Sequence, residues 1–278
     1  MSPDGRSSSR ELQVPGLKLR YAANVADLSP RLAARFVTLT RDAGTEAFLA
    51  EAARGRHGWF RTTAHRVLRQ FVSDFDANGM LDMYSLFLAS TEQWRAVLGA
   101  HQAKRLLDVG AGSGKVTQTL LPFAEQVTAT ELSAPMARHL RRMGIECHEL
   151  DLAEHALPGA RFDLITALNV LDRTARPRQL LRRLSELLEP QGRLVLALAL
   201  PYRPFYYVGA NTPDPLERLA CTEPRWERAV NQLVERELEP LGLEVMSVSR
   251  APYLSFGDTQ RGLYELDDAI LVLKKPGM

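Results

Sequence analysis

The sequence predicts a doubly wound α/β fold, a mostly parallel sheet of seven strands with an N-terminal helical extension. Three observations carry that expectation. From Arg105 onward, short apolar runs alternate with stretches of helical spacing, the pattern of strand–helix–strand units. Before Ala103, apolar residues recur three and four apart, and no strand-like alternation competes. The first run of the alternating part, Leu106 and Leu107, leads into Asp108-Val-Gly-Ala-Gly-Ser-Gly114, a glycine turn of the kind that closes a first strand.

Taken in order, apolar spacing predicts helices over 30–37, 45–53, 59–75 and 91–98. Asn78-Gly79 punctuates this region, and Ser90-Thr-Glu-Gln, or Thr91, offers an N-cap for the helix of Trp94. Strands follow over 106–109, 126–130, 145–150, 162–168, 193–200, 243–250 and 269–274, with helices over 115–121, 134–143, 178–188 and 223–241 between them. Pro190-Gln-Gly192 breaks the chain just before the fifth strand. The expected organisation is a flexible start over 1–20, a helical region over 21–103 and a cofactor-binding domain over 104–278. Two loops of that domain, 201–224 and 251–268, carry the segments that depart from a plain sheet.

A chain of 278 residues, 45% hydrophobic, buries a substantial core, and a net charge of +2 argues against a polyanionic partner. Its arginines are spread along amphipathic stretches with few aromatics nearby, so they read as solvated faces and no nucleic-acid partner is expected. Cys147 and Cys221 support neither a disulfide framework nor a zinc site, and the six histidines show no ligand-like spacing. No metal is expected. A polar start and the lack of a membrane-length apolar run lead to the expectation of a soluble, cytoplasmic protein, most simply a monomer.

Spacing narrows the cofactor. A phosphate-binding loop needs glycine where Val109 stands and Ser or Thr where Val116 stands. The dinucleotide fingerprint puts its third glycine at position 115, which is Lys115. The form here, G-x-G-x-G after an acidic residue, resembles motif I of the S-adenosylmethionine (SAM) methyltransferases. Glu131, at the end of the second strand, suits both ribose hydroxyls, and Asp108 suits the ammonium end. Gly110, Ala111 and Gly112 present backbone to the cofactor, Leu132 follows Glu131, and Asp151 and Leu152 follow the third strand, where an adenine amine lies. Asp151 equally suits a turn cap.

After the fourth strand, Asn169 and Asp172 lie three apart and so face one pocket from a turn, beside the transferable group. The bland alternative makes Asp172 a helix cap or the partner of Arg173 or Arg176.

Here the resemblance becomes specific. Leu-Leu-Asp-Val-Gly-Ala-Gly (106–112), Ala-Thr-Glu-Leu-Ser (129–133), Leu-Asn-Val-Leu-Asp-Arg (168–173), Leu-Pro-Tyr-Arg-Pro (200–204), Pro-Tyr-Leu (252–254) with Gly257-Asp258, and Tyr264-Glu-Leu-Asp-Asp-Ala269 are similar to the methyltransferase-like protein 9, or DREV, family. The likeness runs over about 45–275 and takes in Gly58-Trp59, Asn78-Gly79 and Ser85-Leu-Phe, while 212–221 and Gln260-Arg-Gly262 depart from the animal members. It implies a Rossmann-like class I methyltransferase sheet and SAM as cofactor. It also implies a protein-histidine methyltransferase that modifies the ring nitrogen nearer the main chain in His-x-His segments with a small middle residue.

On that reading Asp172 accepts the N–H of the acceptor imidazole and fixes its tautomer, with Asn169 orienting the ring or the cofactor. Arg173, Tyr202, Tyr264, Asp267 and Asp268 are the expected substrate-binding residues. For Tyr264 the plain alternative is packing, and for the two aspartates a wet strand entry. A methyltransferase of small molecules and a non-catalytic SAM-binding scaffold stay open at this point; a peptide substrate predicts an open groove and a metabolite a closed pocket.

Overall fold

Leu106, Leu107 and Val109 are all buried, so the strand that carries them is covered on both faces, as a central parallel strand must be. In the computed structural model of this chain, which describes residues 19–54, 59–81, 83, 86–157, 161–256 and 263–275, they belong to β2 (Ala103–Val109). Gly58, Ser85, Gly257-Asp258, Gln260-Arg-Gly262 and nearly all of 1–20 lie outside the described residues.

Parallel neighbours flank β2: β3 (Ala124–Thr130) on one side and β5 (Phe162–Leu168) on the other. Beyond β3 lies the short β4 (Glu146–His148), and beyond β5 lies β6 (Leu188–Ala199), both also parallel. Strand β8 (Leu263–Lys274) runs antiparallel to β6, and β7 (Glu244–Phe256) antiparallel to β8. A two-residue strand, β1 (Leu86–Phe87), pairs with the outer edge of β7. Among the described residues the sheet has eight strands, in the order β1-β7-β8-β6-β5-β2-β3-β4. Without β1 this is the seven-stranded class I methyltransferase order that the resemblance implied. The added strand went unread because two residues are too few to show a period of two.

Successive residues of the central strands separate the two cores. Leu106, Leu164, Val195 and Ile270 face one side with Trp94; Leu107, Ile165, Leu196 and Leu271 face the other with Leu180, Leu181 and Leu184. The Trp94 helix, α5 below, carries the expected capping box: Ser90 accepts from Gln93 N, and the Gln93 side chain accepts from Ser90 N. Trp94 is fully buried, and its Nε1–H is satisfied by Thr119 Oγ1 at 2.8 Å.

The helices are α1 (Pro30–Ala33), α2 (Ala43–Arg54), α3 (Trp59–Leu68), α4 (Asp74–Met80), α5 (Thr91–Leu98), α6 (Lys115–Leu120), α7 (Ala134–Arg142), α8 (Pro177–Leu187) and α9 (Trp226–Leu233). The long helix expected over 59–75 is two helices, because the Ser73 hydroxyl caps a new start by accepting from Asp76 N. Asn78-Gly79 is not a break but lies inside α4, where a Cβ on Gly79 would stand 2.9 Å from that of Pro135. Helix α1 stops at Ala33, and Phe36 then bridges to Val248. Helix α9 gives way to a π-helical stretch, Val234–Leu238, and a final turn, Glu239–Leu241.

Two strand expectations also change. Pro190-Gln-Gly192 lies within β6 as an irregularity with Gln191 at φ 73°. The segment 251–268 is not a loop between strands: β7 runs on to Phe256 and β8 starts at Leu263, so Tyr264, Asp267 and Asp268 stand on a strand. Charged and aromatic residues there hid the strand period. By contrast 201–225 holds no helix or strand beyond a bridge between Val208 and Asn211.

The N-terminal segment is strapped to the middle of this long hairpin. Arg250, on β7, donates from Nε and Nη2 to both oxygens of Asp267 (2.8 and 2.6 Å) and from Nη1 to Ala22 O at 3.1 Å, with Glu227 3.6 Å away and Trp226 beneath it. Breaking a largely buried pair leaves its partners uncompensated. Arg250→Ala is expected to cost about 3 kcal/mol in urea unfolding, well beyond the 0–1 kcal/mol of an exposed pair.

Candidate active site

At the carboxyl ends of β2, β3 and β5 the chain encloses a cleft of about 910 Å³. The turn after β2 shapes its floor. Gly110 has φ 66°, and a Cβ there would meet Val170 at 2.7 Å, so only glycine fits between the turn and the chain after β5. Gly112 has φ 56° with nothing within 4 Å of a Cβ, so its bare face opens on the cleft.

The loop amides are taken up within the protein. Gly110 and Ala111 both donate to Thr130 O, Gly114 donates to Ala111 O, and Gly112 N donates to Glu131 Oε2 at 2.8 Å. Glu131 Oε1 accepts from Ser133 N at 2.8 Å. Each carboxylate oxygen thus holds one backbone N–H and keeps a lone pair for a hydroxyl donor. Burial pushes this carboxyl up, and the backbone donors oppose the shift.

Asp108 is buried under the loop. Its oxygens accept from Thr117 Oγ1 (2.5 Å) and Thr166 Oγ1 (2.6 Å), and burial pushes its carboxyl up. Leu132 is exposed at the cleft rim, and Leu152 is buried beneath it. Asp151 lines the cleft and also closes a turn by accepting from Ala153 N at 2.8 Å, so its two readings coexist.

Past β5, Asn169 sits in the left-handed region at φ 57°, a strain tolerated where function holds it. Its Nδ2 donates to Asp268 Oδ2 at 2.5 Å, while its Oδ1, buried in the cleft wall, has no partner. Asp268 is fully buried, with Oδ1 also unpartnered, and burial pushes its carboxyl up to about 8. Asp172 is buried with Oδ1 unpartnered, and Oδ2 lies 3.7 Å from Arg173 Nε. Burial raises its carboxyl and the Arg173 charge opposes this. The Arg173 guanidinium lies between the rings of Phe205 (6.0 Å) and Tyr253 (5.6 Å).

Asn169 and Asp172 do not line the same hollow. Asn169 and Arg173 border the cleft, whereas Asp172 borders an adjoining recess of about 600 Å³ with Leu200, Pro201 and Asp267. The two hollows share Phe205 and Leu266. Tyr264 lines the cleft rim and is 41% exposed. Tyr202 packs against the core, donates its hydroxyl to Leu171 O at 3.4 Å and lines neither hollow. Asp267 is held by Arg250 and by Arg20 at 3.3 Å, and Asp268 is sealed from solvent, so neither is the wet carboxylate at a strand entry.

Several lining residues of the N-terminal region, His65, Asp74 and Phe75, escaped the reading of the sequence. Phe75 meets Tyr207 edge to face at 5.5 Å, Arg69 covers Tyr207 at 4.7 Å, and His65 and Arg69 flank Asp74 at 3.3 and 3.4 Å. Tyr207 belongs to the expected loop over 201–224, whereas no sequence motif marks the N-terminal residues.

The DREV methyltransferase profile matches residues 20–275. The chain belongs to this family. DREV membership makes it a SAM-dependent methyltransferase, and the cleft fits that cofactor: a bare glycine face, a two-oxygen acceptor at Glu131 and an unpartnered acceptor at Asn169. Among curated relatives, the mitochondrial ubiquinone biosynthesis O-methyltransferase of Schizosaccharomyces pombe is 31% identical over 103 residues, which is 34% of this chain and 37% of that protein. The Xanthomonas oryzae ubiquinone biosynthesis O-methyltransferase is 28% identical over 100 residues, 34% of this chain and 42% of that protein. The match thus spans well under half the length of these relatives. Among solved structures, N-methyltransferase NodS of Bradyrhizobium japonicum with S-adenosyl-L-homocysteine (SAH) is 18% identical at TM-score 0.45, covering 67% of this chain and 85% of that one. A TehB-like methyltransferase of Corynebacterium glutamicum is 18% identical at 0.44, covering 67% and 88%. Among the described residues no helix is long and apolar enough to cross a membrane.

Two outcomes follow for this site. Gly110→Ala is expected to weaken SAH binding at least tenfold in calorimetry, through strain of about 1–3 kcal/mol at positive φ and the contact with Val170. Asp268 has a folded value near 8 against an ordinary 3.8, so the folded state keeps a proton that the unfolded chain releases. Its contribution to stability is full below about pH 4 and is lost as pH rises toward about 8. Asp268→Asn should flatten the fall of the urea midpoint across that window.

Proposed function

We propose that this DREV methyltransferase transfers the methyl group to an imidazole nitrogen, the one nearer the main chain, of a histidine in a His-x-His segment of a protein. The observation that carries the reading is Asp172, which lines a recess adjoining the cofactor cleft and keeps a buried, unpartnered Oδ1. Imidazole alone among side chains offers a lone pair on one nitrogen and an N–H on the other. A ring lodged at Phe205 and Leu266, where the two hollows meet, presents one nitrogen to the cleft and the other to Asp172.

Asp108, Gly110, Ala111, Gly112, Glu131, Leu132, Asp151, Leu152 and Asn169 are the residues we assign to the cofactor, which supplies an electrophilic methyl group when bound. Asp172 accepts the ring N–H and so fixes the tautomer whose other nitrogen carries the lone pair. The ring, cationic once methylated, would be stabilised by the Asp172 carboxylate. The proton on the far nitrogen then leaves through Asp172 to water. Arg173, 3.7 Å from Asp172, opposes the upward push of burial on that carboxyl. Phe205 and Tyr264 supply the apolar walls that align the ring and exclude water.

Incubation of the protein with labelled SAM and a His-Ala-His peptide tests the reading. Label is expected on one histidine, and Asp172→Asn is expected to lower kcat by about 100-fold while SAH still binds. Transfer to a metabolite extract, with none to the peptide, would instead favour a small-molecule acceptor of the kind the curated relatives are named for.

A further inference from the structure

Asp76 stands on α4, in the N-terminal region, yet its carboxylate reaches the loop after β3. Its Oδ2 accepts from Ser73 Oγ at 2.8 Å, and its Oδ1 accepts from Ser133 Oγ at 2.6 Å. Ser133 N donates in turn to Glu131 Oε1, whose second oxygen accepts from Gly112 N. Asp76, Ser133, Glu131 and Gly112 are thereby joined in one run of hydrogen bonds, and all four line the cleft. Gly79 sets the same helix flush against the start of α7, since a Cβ there would stand 2.9 Å from that of Pro135 and 3.3 Å from Met136.

Stability alone does not favour this arrangement. Asp76 lies near enough to push the Glu131 carboxyl further up, adding to the effect of burial. Two carboxylates facing one small volume are repaid by a ligand rich in N–H and O–H donors, and a nucleoside brings these in its ribose diol and amine. The Ser133 hydroxyl donates to Asp76 while its backbone donates to Glu131, so the orientation of Glu131 depends on where Asp76 holds the serine.

We propose that Asp76 is a positioning residue for the cofactor. Acting through Ser133, it fixes the Glu131 carboxylate in the orientation that receives the ribose, so the N-terminal region forms part of the SAM site. This inference rests on the cofactor and is independent of the histidine acceptor.

Calorimetric titration of SAH into Asp76→Ala, Ser133→Ala and the double variant tests it without any methyl acceptor. Each single variant is expected to lose about tenfold in affinity, and the double variant no more than either alone, because both remove the same link. Asp76→Asn keeps an acceptor oxygen for Ser133 and should stay within about threefold of the unmodified protein. SAH binding by a folded Asp76→Ala at unmodified strength would overturn the proposal, as would losses that multiply to about a hundredfold in the double variant. If Asp76→Ala does not fold, Ser133→Ala and Asp76→Asn decide the matter: unmodified affinity in the former, or a tenfold loss in the latter, would overturn it.

Discussion

Burying a carboxylate costs several kcal/mol unless donors surround it, and Glu131 meets that demand with the backbone N–H groups of Gly112 and Ser133. The cleft depends on this. The bond from Gly112 draws the glycine turn across the end of β3, where Gly110 and Ala111 already share Thr130 O. The bond from Ser133 fixes the start of α7, against which Gly79 of α4 packs. One side chain thus ties together two strand ends, a turn and the N-terminal region.

The opposite end of the cleft follows a different rule. Asn169, Asp172 and Asp268 each keep a buried oxygen without a partner, and Asn169 adopts a backbone conformation that few residues tolerate. Buried polar groups in folded proteins are nearly always satisfied, so three such atoms at neighbouring strand ends mark a place shaped for something other than stability. Arg173 holds the cluster together electrostatically without satisfying those oxygens. Glu131 has a protein donor on each oxygen, whereas each residue of this cluster leaves one buried oxygen open.

Much of this was legible in the residues. The G-x-G-x-G turn and Glu131 are local features: spacing and residue type identify them, because a tight turn needs glycine and a strand end needs only one acid. The same holds for the Ser90–Gln93 cap and for the alternating apolar runs. The extent of β7 and β8 was not legible, since a hairpin buried on both faces over much of its length, and bearing Arg250, Asp267 and Asp268, has no alternating apolar period to read. Asp76 looked like an ordinary first-turn acid of a helix, and its Ser133 partner is far away in sequence.

By itself, then, the sequence determined the sheet, the glycine turn and the chemical type of the cofactor, because each follows from residues close together in the chain. The tertiary structure decided which side chains share a hollow. It separated Asn169 from Asp172 although they lie three apart, packed Tyr202 against the core, locked Asp267 to Arg250 and brought Asp76 to Ser133. Those outcomes depend on the direction in which each side chain leaves its strand or helix and on what packs against it, and only the folded arrangement of distant segments fixes both.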